Sequence, residues 1–443
     1  MSNYIKIKKG LDIPLKGTAE STTDADNSTI LFGICPEDFP GHIWKARVKP
    51  GDKVKIGTRL LSDKSTDTIA LVSPVAGFVK EIIRGERRRI LAVTIEKKDE
   101  QTSDTFDIRH NPEEIRKTLK DSGLWSLLRQ RPFDIVPETD STPRDIFITG
   151  FDSAPLAPEL ISTEDIPYVE MGIKILFMLT SGKVYLGVRP DKNPNIGIAE
   201  TIQFEGPHPA GNVGVQIAAV KPVNKGEVVW TTDIRTVARI GKLYKDNILD
   251  YSTTVAVTGP EVENPHFVKT CAGASLSTIL EGFKLHEDKN LRIISGNVLT
   301  GIKVEKESGF LRFPYRQISV IEEGDSRGEF MGWASMNPEK YSVKRSFPAF
   351  LKGLSRPFNF DARIKGGHRA MILSEEYDKV FPFDIYPEYL IKAIGNFDID
   401  RMEKLGIYEV APEDFALPEF VDTSKIELQK IVREGLDKLR EEI

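Results

Sequence analysis

The chain reads VKPGDKVKIGTRLL from Val48 to Leu61 and LVSPVAGFVKEI from Leu71 to Ile82. Each stretch places short apolar runs around a turn, because proline fixes φ and glycine takes the positive φ that tight turns require. Alternating runs at 44–48 and 90–95 continue this pattern on both sides, as is typical of short β-strands. The first third of the chain therefore predicts a β-domain, to which we assign residues 1–105.

The spacing of these two units resembles the flattened β-sandwich, or barrel-sandwich hybrid, of biotinyl and lipoyl carrier domains. Carriers of that kind present a modified lysine at a hairpin tip, and Lys64 is the nearest candidate in this chain. Asp63 and Ser65 flank this lysine, whereas the biotinyl pattern has methionine on both sides. We therefore favour a bare structural domain, and a biotin or acyl carrier is the alternative.

Strands and helices alternate from about Pro112 onward. A proline followed by two acidic residues, as at 112–114, is typical of the first turn of a helix. Interleaved strands and helices favour a largely parallel sheet, so residues 106–252 are predicted to form a Rossmann-like α/β domain. Its predicted strands include the apolar runs at 145–149, 183–188 and 214–219.

The rest of the chain divides into a small mixed module and a helical end. Residues 253–281 predict the order strand, turn, strand and helix, and 292–296 predict a further strand. This order suits a ubiquitin-like module of the SLBB type, assigned to residues 253–330. Apolar residues three and four apart in 428–439 predict an amphipathic helix, and residues 331–443 are predicted to be mostly helical. The fold class is therefore multidomain, with α/β and α+β parts.

Composition narrows the classes of function. The 443 residues carry a formal net charge of −5, which gives no support for nucleic acid as a partner. No apolar run approaches the roughly 20 residues that cross a bilayer. The start of the chain lacks the apolar core of a signal peptide. We expect a cytoplasmic protein that touches a membrane only through its partners.

The chain offers few ligands for metal or cluster chemistry. It has two cysteines, Cys35 and Cys271, and six scattered histidines. An iron–sulfur cluster needs about four thiolates, and structural zinc sites need several closely spaced ligands. No metal site and no catalytic residue is predicted.

The most conspicuous loop reads GPHPAGNVGVQ from Gly206 to Gln216. Its glycine spacing would let backbone amides approach a phosphate. Two prolines remove amide donors, however, and the pattern is not that of a dinucleotide-binding loop. A rigid structural loop is favoured over a nucleotide site. His208 as a ligand or base is the weaker interpretation, because no partner is near it in sequence.

A series of short motifs runs through the chain in order, beginning with IKIKKGLDIP at 5–14. It continues with DSGLW (121–125), RPF (131–133), GKVY (182–185), IGKL (240–243), RIISGNVLTG (292–301) and RSF (345–347). This series resembles the NqrA family, the A subunits of bacterial sodium-translocating NADH:quinone oxidoreductases. The resemblance covers essentially the whole chain.

The resemblance implies a peripheral subunit on the cytoplasmic face of the bacterial inner membrane. The resemblance also implies that this subunit belongs to a six-subunit sodium pump whose NADH, flavin and iron–sulfur sites lie on other subunits. The chain is expected to dock to those subunits and to bind no cofactor of its own, apart from contact with quinone. The isolated chain is expected not to be catalytic.

The family is also similar to RnfC and to the flavin-binding subunit of complex I, which raises a flavin-dependent NADH dehydrogenase as the alternative function. Those relatives carry a Gly-rich, Arg-containing flavin loop, whereas this chain reads TGFDSAPLAP at 149–158. They also carry cysteines near the C-terminus, where this chain has Pro418 and Asp422. The resemblance therefore implies an inherited fold from which the redox chemistry has been lost.

The association of the family with quinone gives the last site prediction. A quinone needs an apolar slot with one or two donors for its carbonyl oxygens. The resemblance directs attention first to Phe39, His42 and Trp44, and second to Arg131 and Phe133. The alternative, in which these side chains serve the core or a subunit interface, is favoured.

Overall fold

The structure is a computed structural model that describes residues 3–25, 28–160, 162–286, 288–325, 339–344, 353 and 356–442. The motif at 345–347 lies outside the described residues. The strands are β1 (Tyr4–Lys6), β2 (Glu20–Ala25), β3 (Leu31–Ile34), β4 (Trp44–Ala46), β5 (Lys53–Val54), β6 (Arg59–Asp63), β7 (Ala70–Val72), β8 (Gly77–Arg84), β9 (Ile90–Lys97), β10 (Arg129–Arg131), β11 (Asp145–Thr149), β12 (Val184–Val188), β13 (Glu200–Glu205), β14 (Val229–Asp233), β15 (Ser252–Thr258), β16 (His266–Cys271), β17 (Leu291–Ser295), β18 (Ile302–Val304) and β19 (Gln317–Glu322). The helices are α1 (Pro112–Asp121), α2 (Ile166–Phe177), α3 (Val213–Val220), α4 (Ile234–Asp246), α5 (Leu276–Glu281), α6 (Pro387–Gly395), α7 (Ile399–Lys404), α8 (Ala416–Val421) and α9 (Leu428–Glu442).

Two small sheets form the N-terminal β-sandwich. One has the order β3-β9-β8-β5 and the other the order β4-β6-β7. Gly51, in the turn before β5, has a φ of 92°, which only glycine adopts without strain. Gly77 begins β8, and a Cβ there would lie 2.0 Å from the carbonyl oxygen of Glu96 in β9. The turn chemistry of the stretches at 48–61 and 71–82 thus shapes the pairing of β5 with β8.

A six-stranded sheet with the order β1-β13-β12-β11-β14-β10 forms the α/β domain. Its central strands are parallel, and β10 runs antiparallel at one edge. Successive residues of a strand point to opposite faces of the sheet, and different elements cover the two faces. Ile146 and Ile148 pack in the core that includes α2 and α4, whereas Phe147 packs in the core that includes the C-terminal helices. The predicted α/β fold is confirmed.

One predicted strand of this domain is a helix. The run at 214–219 lies within α3, and Asn212 precedes it with the extended dihedral angles of an N-cap residue. The helix buries Val215 and Ile217. A short run that is apolar throughout has no period that separates a buried helix from a buried strand, so the strand prediction was wrong.

The third sheet has the order β18-β17-β19-β15-β16-β2 and carries the predicted succession of strand, turn, strand and helix in β15, β16 and α5. The N-terminal segment contributes one strand to each of two sheets. β1 pairs in parallel with β13 of the α/β sheet, and β2 pairs in parallel with β16 of the third sheet. Residues 3–25 therefore connect two sheets that do not belong to the sandwich.

Helices α6 to α9 close the chain. The amphipathic helix predicted at 428–439 is α9, and its buried side includes Val432, Leu436 and Leu439. The described residues between 339 and 386 contain no α-helix; they form irregular structure that pairs at isolated positions, such as Phe358 with Leu15. Among the described residues, the predicted helical character thus holds from Pro387 onward.

Candidate functional site

Two loops leave the carboxyl ends of parallel strands and are bonded to each other. Residues 150–158 follow β11, and residues 206–212 follow β13. The hydroxyl of Thr149 donates to the carbonyl of Gly211 at 2.9 Å, and the Gly211 N–H donates to Oγ of Ser153 at 2.8 Å. Oγ of Ser153 also lies 3.0 Å from Nδ1 of His208. Residues 150–158 are therefore packed directly against the Gly206–Gly211 loop.

The N-terminal segment covers the same loop from another side. The Leu11 N–H donates to the carbonyl of His208 at 2.8 Å, and the His208 N–H donates to Oδ1 of Asp12 at 2.9 Å. Burial lowers the pKa of the His208 imidazole to about 4, so the ring is neutral near pH 7. His208 is thus held inside a structural loop, which supports the interpretation favoured from its two prolines.

A buried carboxylate lies at the start of α3, the place at this edge of the sheet that best suits an anion. A Cβ at Gly214 would be 2.6 Å from Oδ1 of Asp414. The side chain of Asp414 is fully buried, and Nη1 of Arg131 lies 3.4 Å from its Oδ2. A flavin phosphate would meet this carboxylate at close range in a buried site. The residues at this edge therefore do not fit a flavin phosphate.

The first group of predicted quinone contacts lies together. The ring centroid of Trp44 is 6.4 Å from that of Phe39 and 5.8 Å from that of His42. The indole nitrogen of Trp44 and Nε2 of His42 already have partners. Trp44 Nε1 donates to the carbonyl of Phe39, and His42 Nε2 lies 3.3 Å from the carbonyl oxygen of Val136. The aromatic cluster thus leaves no indole or Nε2 donor free for a quinone carbonyl.

The second group is divided between two packing environments. Arg131 is 1% exposed and pairs with Glu413 at 2.9 Å as well as with Asp414. Phe133 packs edge-on against Tyr408, with ring centroids 6.4 Å apart. Both contacts attach β10 and its loop to the C-terminal helical region.

A narrow cleft opens where the sandwich, the α/β domain and the third sheet meet. Its empty volume is about 750 Å³, open solvent at the mouth included. The ring of Phe39 stacks on that of Phe313 at one wall, with centroids 5.3 Å apart, and Arg129 lies over Phe313 at 5.2 Å. Of the predicted contacts, Phe39 lines this cleft. Its described lining also includes Asp233, Arg239, Tyr251, Thr253, Arg312 and Arg316.

The polar residues of this cleft could not be chosen from the sequence. Arg239 lies in α4, Thr253 in β15 and Arg316 immediately before β19. Each stands in a segment that carries no catalytic or binding motif, and the three meet only through the packing of two domains. The one usable signal was the aromatic Phe39, which the resemblance provided.

Lys64 lies in the hairpin loop between β6 and β7 and is exposed. Its backbone N–H donates to the carbonyl of Ile43 at 2.7 Å. The carboxylate of Asp63 organises the loop by accepting backbone N–H groups of Thr66 and Ile69. Lys64 therefore occupies a hairpin tip, as in carrier domains, between residues that differ from the biotinyl pattern.

The described residues contain no group of three or more His, Cys, Asp or Glu side chains placed to hold a metal ion. Burial raises the pKa of both thiols, Cys35 and Cys271, to about 12. Each thiol is therefore protonated near neutral pH and is a poor nucleophile or ligand.

Three family models match successive parts of the chain. They are described as the NqrA N-terminal barrel-sandwich hybrid domain at residues 5–98, the NqrA second alpha/beta domain at 110–248 and the NQRA C-terminal domain at 254–306. Together they follow the order of the sandwich, the α/β domain and the third sheet.

Curated proteins match over almost the whole chain. The A subunit of the Na(+)-translocating NADH-quinone reductase of Pasteurella multocida (strain Pm70) is 35% identical over 450 residues, which cover 99% of this chain and 100% of that protein. The corresponding proteins from Hahella chejuensis (strain KCTC 2396) and Vibrio anguillarum are each 36% identical over 449 residues, with the same coverage.

Among solved structures, an NAD+-reducing [NiFe]-hydrogenase in the air-oxidized state matches 74% of this chain and 63% of its own chain, at 12% identity and a TM-score of 0.36. None of the helices in the described part of the chain is long and apolar enough to cross a membrane.

Proposed function

Because the chain belongs to the NqrA family, we propose that it serves as the NqrA component of a Na(+)-translocating NADH-quinone reductase and docks to the other subunits of that complex. The proposal rests on one observation, the 35–36% identity to the A subunits of such reductases over 99% of this chain and 100% of each relative. In this proposal the chain is a peripheral subunit on the cytoplasmic face of the bacterial inner membrane, in a complex of six subunits.

In this proposal the chain carries out no flavin or NADH chemistry. Support comes from the edge of the α/β sheet, where the carboxylate of Asp414 stands at the start of α3. Further support comes from the bonds that join Thr149 and Ser153 to Gly211, since they close the space between the two loops. The reductase activity belongs to the assembled complex.

An exposed apolar patch near α6 is the docking surface that we assign to this role. Ile372, Leu373, Tyr386 and Tyr389 are 59%, 47%, 68% and 54% exposed. The Ser374 N–H donates to the Glu388 carboxylate at 3.0 Å, which brings residues 372–373 beside α6. Contiguous apolar side chains on a surface are typical of a protein interface. This α6 patch would be covered by another subunit of the complex.

Quinone contact is the finer part of the proposal, and Phe39 is the residue we assign to it. Support comes from its place in the cleft, where its ring stacks on Phe313. A flat aromatic headgroup stacks well on such a wall. His42, Trp44, Arg131 and Phe133 have structural partners and are assigned to packing.

The test of the subunit role is purification of the tagged chain from its native membranes in mild detergent. We expect a membrane complex with NADH:quinone reductase activity. The double variant Tyr386→Asp, Tyr389→Asp should reduce recovery of the other subunits at least tenfold. Phe177→Asp is the matched control, because Phe177 is 49% exposed at the end of α2, outside the α6 patch.

Recovery of the chain alone, yellow and active with NADH, would replace the subunit role with that of a flavin-dependent dehydrogenase. Added mass at Lys64 in a host with active ligases would replace it with a carrier. Full recovery of the complex with the double variant would show that the α6 patch is not the docking surface.

The quinone assignment has a separate test in the purified complex. We expect Phe39→Ala to raise KM for quinone at least fivefold while NADH oxidation with an artificial acceptor is unchanged. Phe133→Ala is the control, since Phe133 packs on Tyr408 and should leave KM unaltered. Equal KM values for both variants and the unaltered complex would remove quinone contact from this subunit.

A further inference from the structure

Three buried donors in the cleft have no hydrogen-bond partner among the described residues. They are Nε of Arg239, Nη1 of Arg316 and the hydroxyl of Thr253. All three residues line the same cleft, and Thr253 is only 3% exposed. Buried polar groups are nearly always paired, because an unmade hydrogen bond costs free energy. Three such donors around one space indicate a ligand that brings acceptors.

The three side chains are neighbours. Nη2 of Arg239 donates to the carbonyl of Ser252, the residue before Thr253, at 3.2 Å. Burial lowers the pKa of Arg239, and the charges of Arg235 and Arg316 lower it further. The guanidiniums of Arg239 and Arg316 are therefore close enough to repel each other.

Arg239 and Arg316 have few carboxylate partners in the described structure. Asp233 lies 3.6 Å from Nη2 of Arg316, and its carboxylate also caps α4 by accepting the N–H groups of Arg235 and Thr236. The guanidinium of Arg235 pairs with Asp165 at 2.9 Å. Asp152 is influenced by Arg316 but forms no salt bridge with it. Arg316 thus makes one long contact with a carboxylate that is already engaged at the helix, and Arg239 forms no salt bridge among the described residues.

We propose that this cleft binds an oxyanion, the phosphate or carboxylate group of a ligand, between Arg239, Arg316 and Thr253. Guanidinium groups match such oxygens in charge and in the spacing of their N–H donors. The Thr253 hydroxyl supplies one further donor to the same group. Water or a neutral quinone carbonyl would satisfy a single donor, whereas an oxyanion brings several acceptors and the negative charge that guanidinium groups prefer.

The donor atoms themselves are buried, although their residues line the cleft. In this proposal the two guanidiniums rotate about their terminal side-chain torsions when the anion binds, so that their N–H groups reach the cleft. The site is therefore one that forms around its ligand.

The test is titration calorimetry on the purified full chain with inorganic phosphate and with acetate, each at constant ionic strength. We expect saturable binding of at least one anion. Thr253→Val should weaken it at least fivefold and Arg316→Gln at least tenfold. Thr253→Val is the sharper variant, because it keeps the side-chain shape and removes a hydroxyl that has no partner, so its melting temperature should not fall.

Arg292→Gln is the control, since Arg292 pairs with Glu323 outside the cleft and should leave binding unchanged. Binding of phosphate alone assigns a phosphate group, and binding of both anions extends the site to carboxylates. Absence of saturable binding, or equal binding by Thr253→Val, Arg316→Gln and the unaltered chain, overturns the proposal. The site does not depend on the subunit role, because the isolated chain is titrated.

Discussion

The carboxylate of Asp414 lies against Gly214 in the first turn of α3, where an added Cβ would stand 2.6 Å from Oδ1. The amide groups of a helix N-terminus attract negative charge, which is why that position holds phosphates in many α/β proteins. Here the C-terminal region supplies the negative charge from within the chain. The contact joins the α/β sheet to the last helices and removes the position from use by an anionic cofactor.

Substitution of Gly214 by alanine should destabilise the protein by about 1–3 kcal/mol, because the new methyl group meets a fully buried carboxylate that has no room to move. Gly395→Ala is the control. Gly395 ends α6 and has nothing within 4 Å of an added Cβ, so alanine should be neutral or stabilising there. Urea unfolding midpoints measure both. Equal midpoints for the two variants would show that Asp414 does not hold this position.

Replacement of Arg131 by methionine should cost about 3–5 kcal/mol, because it leaves the buried carboxylate of Asp414 without its cationic partner. Burial raises the pKa of Asp414 and Arg131 opposes that rise, so the variant should hold this carboxyl in its protonated form. Arg292→Met is the control, since Arg292 is partly exposed and its pair with Glu323 contributes at most about 1 kcal/mol.

The Arg131→Met variant distinguishes a structural role of Arg131 from a role in quinone contact. Unfolding free energies from urea titration should fall sharply for Arg131→Met and hardly at all for the control. A variant with unaltered stability and a raised KM for quinone would restore Arg131 to the quinone contacts predicted from the resemblance.

The fold could be predicted where local chemistry decides it. Proline and glycine turns, such as those at Gly51 and Gly77, dictate the sandwich, and the three-and-four spacing of Val432, Leu436 and Leu439 dictates α9. The helix at 214–219 escaped prediction because its uniformly apolar run has no period. The pairing of β1 with β13 escaped it for another reason, since no local pattern carries the register between strands almost two hundred residues apart.

The candidate site could be predicted only in part, because side chains from distant segments make it. Phe39 was reachable through the family resemblance and lines the cleft. Arg239, Thr253 and Arg316 come from three segments without motifs, and their unmade hydrogen bonds exist only in the folded chain. Arg131 drew attention through the family resemblance, yet its partner Asp414 is 283 residues away in sequence.

Both cysteines should react slowly in the folded protein. Burial raises each thiol pKa from 9.0 to about 12, so the thiolate fraction at pH 8 falls about a thousandfold. Alkylation by iodoacetamide at pH 8, followed by mass spectrometry, should proceed at least a hundredfold more slowly in buffer than in urea. The variants Cys35→Ala and Cys271→Ala show which alkylation rate belongs to which thiol. Native rates equal to those in urea would contradict the burial of the thiols.

Acid should destabilise the protein through His208. Its pKa is about 4 when folded, against 6.5 for the ordinary imidazole, so the unfolded chain binds more protons between these values. The stabilising contribution is complete above pH 6.5 and is lost progressively as the pH falls from 6.5 to 4. It amounts to about 3 kcal/mol, since one pKa unit corresponds to about 1.4 kcal/mol.

His208→Asn tests this, because the asparagine amide can replace Nδ1 beside Ser153 and does not titrate. Urea unfolding free energies between pH 7 and 4.5 should fall less steeply for this variant than for the unaltered protein. His368→Asn is the control, since it makes the same substitution at an exposed histidine. An identical slope for His208→Asn and the unaltered chain would mean that the imidazole keeps its ordinary pKa, and that the loop around Gly211 is open to water.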